Sequence, residues 1–214
     1  MKSPQSLSPI HDRLEALQPV WSGDTLQPAV LRFDSHDEQK AGILGIADVS
    51  QQARAGAKGQ GAADWLSGLG VRLPSTPNSW CALPDGGLVA RLGVTEFMVE
   101  GNALLVDKIT QAARAPGVYP VMRQDAAFAL CGSRVNELLL QTCNVDFRTL
   151  DNEPSKLVLT SMAGVGITIL SMKTGSTPNY RIWCDGTYGG YLWETLVEIA
   201  NVLGGGCIGL NSLP

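Results

Sequence analysis

Histidine is nearly absent from this chain: His11 and His36 are the only two in 214 residues, and both lie in the polar N-terminal segment. A Ser-His-Asp or Cys-His arrangement needs an imidazole beside its nucleophile, so esterase-like chemistry is set aside. Cations are scarce as well. Sixteen Lys and Arg face 20 Asp and Glu, for a net charge of −4. That leaves too few cations to neutralise a run of phosphates, which excludes nucleic acid as a partner. The cysteines Cys81, Cys131, Cys143, Cys184 and Cys207 are odd in number, widely spaced and without a CxxC pair, so no zinc site is expected. No apolar signal core occurs in Met1–Leu7, and the expectation is a cytoplasmic protein with reduced thiols. The longest uncharged run, Leu157–Met172, holds 16 residues. This falls short of the roughly 20 that a membrane-spanning helix needs, so no membrane partner is expected and the run reads as buried sheet.

What is present is globular: 44% hydrophobic and 17% charged residues, in a length that suits one or two domains. Residues 1–27 read as a polar arm in which Ser8-Pro9 opens a short helix with Ile10, Leu14 and Leu17 on one face. Such an arm either lies on a neighbouring subunit or frays. Val30–Phe33 alternates like a strand. Strands over Gly42–Asp48 and Ala53–Lys58 follow, then a helix from Gln60 to Leu69. Leu88–Leu92 and Phe97–Glu100 form a hairpin, and Leu104–Ala115 a helix broken by Pro116-Gly117. A second series repeats this order of strands, a helix after a glycine turn, strands and a helix. Its strands lie near Tyr119–Arg123 and Ala126–Leu130, its first helix over Arg134–Cys143. The apolar region Leu157–Leu170 comes next, then a polar turn over Lys173–Asn179. Tyr180–Cys184 is a strand and Gly190–Leu203 the last helix, stopped by Gly204. The fold class is therefore α+β, with antiparallel or mixed sheets and covering helices. The expected division is an arm (1–27), a first lobe (28–116), a second lobe (117–206) and a tail (207–214).

Few residues suggest chemistry. Gly59-Gln-Gly61 lacks the Gly-Lys-Ser/Thr ending of a phosphate loop and reads as a tight strand-to-helix turn. Gly164-Val-Gly166 is read inside a strand. Asp48, Asp85, Asp107, Asp125, Asp146 and Asp185 stand singly, mostly beside turns, where caps and Asx-turns are the default. Cys143 and Cys184 lack a neighbouring cation that would lower their pKa and read as structural. No catalytic, cofactor-binding or metal-binding residue is assigned. Arg123, Asp125, Arg181 and Trp183 are the most functional-looking polar and aromatic groups. They either hold a partner subunit or tie strands together internally. With Tyr188 and Tyr191 they form the candidate subunit interface.

Several stretches carry a family likeness in their order and spacing. They are Ile46-Ala-Asp-Val-Ser-Gln-Gln-Ala-Arg54, Lys58-Gly59 leading to Ala63-Asp-Trp-Leu66, Leu73-Pro-Ser-Thr-Pro-Asn78, Arg91-Leu-Gly93, Cys143-Asn-Val-Asp146, Tyr180-Arg-Ile-Trp183 and Tyr191-Leu-Trp193. On these the chain, from about residue 40 to its end, resembles the sarcosine oxidase gamma-subunit family. Tyr119–Phe128 and Thr160–Gly190 look closer to the matching subunit of N-methylglutamate dehydrogenase. At greater distance, the Asp48-Val-Ser50, Arg54 and Gly59 spacing is similar to the folate-binding T-protein of the glycine cleavage system. The resemblance implies part of the T-protein fold in a non-catalytic structural subunit of a heterotetrameric flavoenzyme. Alpha, beta and delta partners would carry FAD, FMN, NAD, zinc and tetrahydrofolate, and the complex would demethylate sarcosine or N-methylglutamate oxidatively. The alternative is a free-standing folate-binding aminomethyltransferase-like protein. In T-proteins a carboxylate following an Asn works on the folate. Asn102 and Asp107 are the nearest counterparts, but their spacing differs and Leu104-Leu-Val106 replaces polar residues. The activity is not carried over.

The thiol reading is directly testable. Titration of freshly prepared, denatured protein without reductant should count all five cysteines, and a count of three or fewer would contradict it.

Overall fold

A computed structural model describes residues 7–84, 86–150, 155–172 and 177–214. Asp85, Met1–Ser6 and much of the polar turn read over Lys173–Asn179 lie outside these residues. In chain order the first elements are α1 (His11–Ala16), β1 (Val20–Trp21), β2 (Val30–Arg32), α2 (Asp37–Leu44), β3 (Gly45–Asp48), β4 (Ala53–Lys58) and α3 (Ala62–Gly68). Next come β5 (Ser79–Ala82), β6 (Leu88–Arg91), β7 (Glu96–Gly101), α4 (Ala103–Gln111), β8 (Tyr119–Val121) and β9 (Asp125–Cys131). The chain finishes with α5 (Val135–Thr142), β10 (Leu157–Met162), β11 (Val165–Ser171), β12 (Asn179–Asp185), α6 (Gly189–Val202) and β13 (Gly206–Cys207). The α+β class holds.

The chain packs as two compact units: Met1–Gln51, Asp125–Pro154 and Thr160–Pro214 form the first, Gln52–Gln124 and Ser155–Leu159 the second. These are not the sequential lobes 28–116 and 117–206. The difference has a definite cause in strand pairing. β3, early in the chain, lies antiparallel to β9 in the six-stranded sheet β10-β11-β12-β9-β3-β13, all of which but the start of β10 belongs to the first unit. β8, late in the chain, lies antiparallel to β4 in the five-stranded sheet β5-β6-β7-β4-β8 of the second.

In the second unit, alternation along β4 and β7 sends Ala55, Ala57, Phe97 and Val99 into a core with Leu66, Val106 and Ile109 from the two helices. In the first unit, Phe128 of β9 packs on Trp193 of α6 with ring centroids 5.5 Å apart. The run Leu157–Leu170 is a hairpin, not continuous strand. Ala163 and Gly164, with φ of 49° and 83°, form its two-residue turn, a backbone that matches strand twist.

Other boundaries move for local reasons. The strand read from Gly42 begins at Gly45, because Asp37–Leu44 is helical; its polar first half, Asp37–Lys40, and apolar second half, Ala41–Leu44, leave no apolar stripe along one face to read. The N-terminal arm is part of the first unit. Ile10 and Leu14 are fully buried, Leu17 stays exposed, and Arg13 pairs with Glu194 of α6 at 2.9 Å. The supposed tail is likewise built in. β13 lies parallel to β3, Ile208 is buried, and the Gly209 amide donates to the Asp37 carboxylate at 2.8 Å.

That carboxylate, 2% exposed, also accepts the amides of Phe33 at 2.9 Å and Asp34 at 3.0 Å. Removing it strands three donors at once, each bonded to a charged group and worth about 1.5–3 kcal/mol. Asp37→Ala should therefore lower unfolding free energy by about 3 kcal/mol or more in urea titration. Asp24→Ala, which loses only two exposed turn bonds, from the Leu26 and Gln27 amides, should cost less than about 1 kcal/mol.

Candidate functional site

The strand alternation that fills the second unit's core leaves Arg54, Gly56 and Lys58 on the opposite face of β4, with Glu96, Met98 and Glu100 beside them on β7. Arg54 and Glu100 are direct cross-strand partners. The Arg54 Nη1 lies 3.4 Å from Glu100 Oε2, with both side chains only 3% exposed. Arg123 Nη2 reaches Glu96 Oε1 at 3.1 Å. It passes over Gly56, where a Cβ would sit 3.0 Å from the Arg123 Nε and 2.7 Å from the Val121 carbonyl. Glycine is what lets that guanidinium cross the strand.

The candidate interface residues separate by location. In the first unit, Arg181 and Trp183 stand on β12 opposite Ala129 and Ala127 of β9, and the small alanines leave room for the large side chains. Trp183 is buried. Asp125 opens β9 directly across from Asp185. The Asp185 carboxylate accepts the Thr187 hydroxyl at 2.6 Å and amide at 2.8 Å. Those bonds hold its pKa below the ordinary range. Tyr188 and Tyr191, at the entry to α6, are 56% and 54% exposed. The Tyr191 hydroxyl donates to the Ala163 carbonyl at 3.1 Å. Arg123 lies in the second unit.

Residues with a loose claim to chemistry have structural duties. Asn102 caps α4, its side chain accepting the Leu105 amide at 2.9 Å. Asp107 is exposed on the outer side of that helix. The Gly59 and Gly61 amides donate to the carbonyls of Thr95, at 3.0 Å, and Gly117, at 3.3 Å, so they are spent internally instead of forming an anion cradle. Asp48 and Asp146 take the amides two residues on, of Ser50 and Arg148, as Asx-turns do. Burial pushes the Cys184 thiol up to about 12, with Asp125 and Asp185 adding to the effect, and Cys131 up to about 11. Both shifts favour the neutral thiol over the nucleophilic thiolate. All five cysteines are free.

The Arg54–Glu100 pair was missed from the sequence. Its only signal was two opposite charges flanked by alanines in one strand and by Met98 and Val99 in the other. Arg91 joins two of the stretches that carried the family likeness. It donates to Ser75 and Val94 carbonyls at 2.8 Å each, tying the Leu73–Asn78 loop to the hairpin turn.

No family model matches the chain, and no curated protein does. Solved structures do match. One is a chain of the heterotetrameric sarcosine oxidase from Corynebacterium sp. U-96, in complex with pyrrole 2-carboxylate. It has a TM-score of 0.66 and 17% identity, over 92% of this chain and 95% of that one. Another is the glycine cleavage system aminomethyltransferase T from Bartonella henselae. Its TM-score is 0.70 at 14% identity, over 96% of this chain but 60% of that one. The chain thus spans less than two thirds of the aminomethyltransferase's length. At these identities the likeness is one of fold, T-protein-like in both cases.

A buried ion pair is costly to break from one side, because the survivor is left charged without its partner, at about 3–5 kcal/mol. Glu100→Ala should destabilise the protein by that amount in urea unfolding. The double variant Arg54→Met/Glu100→Leu, which removes both charges and keeps the volume, should recover most of the loss. Equal losses in the single and double variants would refute the assignment.

Proposed function

We propose that the chain is a non-catalytic, gamma-type structural subunit of a heteromeric flavin-dependent complex that oxidatively demethylates an N-methyl amino acid, sarcosine or N-methylglutamate. The observation that carries this reading is the end-to-end correspondence, 92% against 95%, with one chain of a heterotetrameric sarcosine oxidase. In this reading alpha, beta and delta partners hold FAD, FMN, NAD, zinc and tetrahydrofolate, and the one-carbon unit passes to the folate in a partner. Three features support a structural role. Asn102 serves as a helix cap, Asp107 points to solvent, and Glu100 is engaged by Arg54. The exposed Tyr188 and Tyr191 are amphipathic aromatics of the kind that anchor protein interfaces.

A second reading, a folate-binding aminomethyltransferase-like protein, is favoured by the TM-score of 0.70 to such an enzyme. Calorimetric titration of the isolated chain with tetrahydrofolate separates the two, since only the second reading expects heat of binding.

The first reading is tested by co-expressing the chain with the products of neighbouring reading frames and assaying the purified complex. Replacing Asp107 by Ala should reduce turnover less than about threefold, far below the 10²–10⁴-fold that a general acid or base contributes. A hundredfold loss in an intact complex would transfer the catalytic role to this chain.

A further inference from the structure

Helix α6 turns an apolar face inward: Leu192, Trp193, Leu196 and Ala200 are all buried. Its other face is unusual for a helix in contact with water. Tyr191, Glu194, Glu198 and Val202 recur at steps of three and four and so line one side, with Tyr188 just ahead of them. Tyr188, Tyr191 and Val202 are 56%, 54% and 82% exposed. A solvated surface ordinarily intersperses charges of both signs. This helix has two glutamates and no lysine or arginine.

The neighbouring surface has the same sign. Arg13 ties α1 to α6: its Nε lies 2.9 Å from Glu194 Oε1, and its Nη1 lies 2.9 Å from Asp12 Oδ2. Gly190 makes room for it, since a Cβ there would stand 2.5 Å from the guanidinium carbon. Arg13 is the one lysine or arginine in α1, α6 and the turn from Asp185 to Tyr188, against Asp12, Glu15, Asp185, Glu194 and Glu198. All five carboxylate residues are exposed. Among the described residues no cation pairs with Glu15, Asp185 or Glu198. The set carries an excess of four negative charges, equal to the net charge of the whole chain, −4, so the rest of the chain is electrically balanced. All of these residues lie in the first compact unit.

We propose that this outer face of α6, with α1 beside it, docks an arginine-bearing surface of a partner subunit. The proposal rests on the subunit reading above and adds to it the surface used and the chemistry of its occupant. Charge selects that occupant. A second copy of the chain would bring like charges together, and nucleic acid or an anionic lipid surface would be repelled. A guanidinium answers both features of the face at once. Its plane stacks on a tyrosine ring, and its edge donates paired hydrogen bonds to a carboxylate. The receiving groups are already held in place. The Tyr191 hydroxyl donates to the Ala163 carbonyl at 3.1 Å, which fixes the ring. The Asp185 carboxylate accepts the Thr187 amide at 2.8 Å, and its hydrogen bonds from Thr187 keep it in the charged form.

The test uses the complex formed by co-expressing the full chain with the products of neighbouring reading frames. Glu15→Lys and Glu198→Lys should each weaken partner binding about tenfold, and Tyr188→Ala by about tenfold or more. Asp107→Lys, the same charge reversal on α4, should leave binding unchanged. Added salt should loosen the unmodified complex more than the Glu198→Lys complex, because screening acts on the charges that remain. Circular dichroism and urea unfolding of each variant alone should match the unmodified chain, since all the altered positions are exposed. In the assembled complex, Tyr188→p-benzoylphenylalanine should photo-cross-link to a partner peptide that contains arginine. A complex that assembles as tightly with Glu198→Lys and Tyr188→Ala as with the unmodified chain overturns the inference and leaves the subunit reading standing. A cross-link to a second copy of this chain overturns it too. An unmodified chain that recruits no partner overturns both.

Discussion

Two backbone carbonyls, those of Ile43 and Gly117, set the terms for the architecture. Each sits two residues ahead of a strand, β3 or β8, and is met at close range by a glycine and an amide from elsewhere in the chain, Gly132 and Arg134 at Ile43, Gly59 and Gly61 at Gly117. Only glycine tolerates both the approach and the left-handed backbone at that corner. Once the carbonyl is seated, the strand that follows lies beside β9 or β4 in a defined register. The helices after those glycines then start at the right height to cover the sheet. Hydrophobic burial supplies the bulk of the stabilisation, but these corners decide which strand pairs with which.

The non-helical face of each sheet was harder to populate than the core. β4 and β7 place a full ion pair there, and β9 and β12 place alanines against Trp183 and Arg181. Charges without solvent are tolerated only when paired and hydrogen-bonded. Arg54 and Arg123 both pair with β7 carboxylates. This division of labour is consistent with a protein whose polar groups organise its own strands and whose exposed aromatics, Tyr188 and Tyr191, face outward.

Much of the fold was legible in the sequence because periodicity is local. The hairpin at 88–100, the last helix and the strand Ala53–Lys58 were placed from alternation and from Gly and Pro punctuation alone. The order of strands, helix, strands, helix, followed twice along the chain, was also visible. The pairing of β3 with β9 and of β8 with β4 was invisible, since a strand's partner is a long-range fact that no local pattern encodes. For that reason the sequential lobes differ from the compact units. Helix α2 escaped for the opposite reason: it lacks an apolar stripe and is held by the buried Asp37 contact. Of the residues weighed for chemistry, the turn roles of Asp48, Asp146 and Asp185 were legible in the sequence. The Arg54–Glu100 pair was not, because two charges on separate strands declare themselves only once the register is known.

The paired burial of Arg54 and Glu100 also has an evolutionary consequence. A lineage that loses either side chain alone inherits a desolvated charge, and selection removes it before the second change arrives. Departure from this state therefore requires near-simultaneous replacement, or a third residue that first neutralises the survivor. The two positions are expected to drift as a linked pair among descendants of this chain. The solvent-facing residues of α4, the helix that follows β7, are free to diverge one at a time.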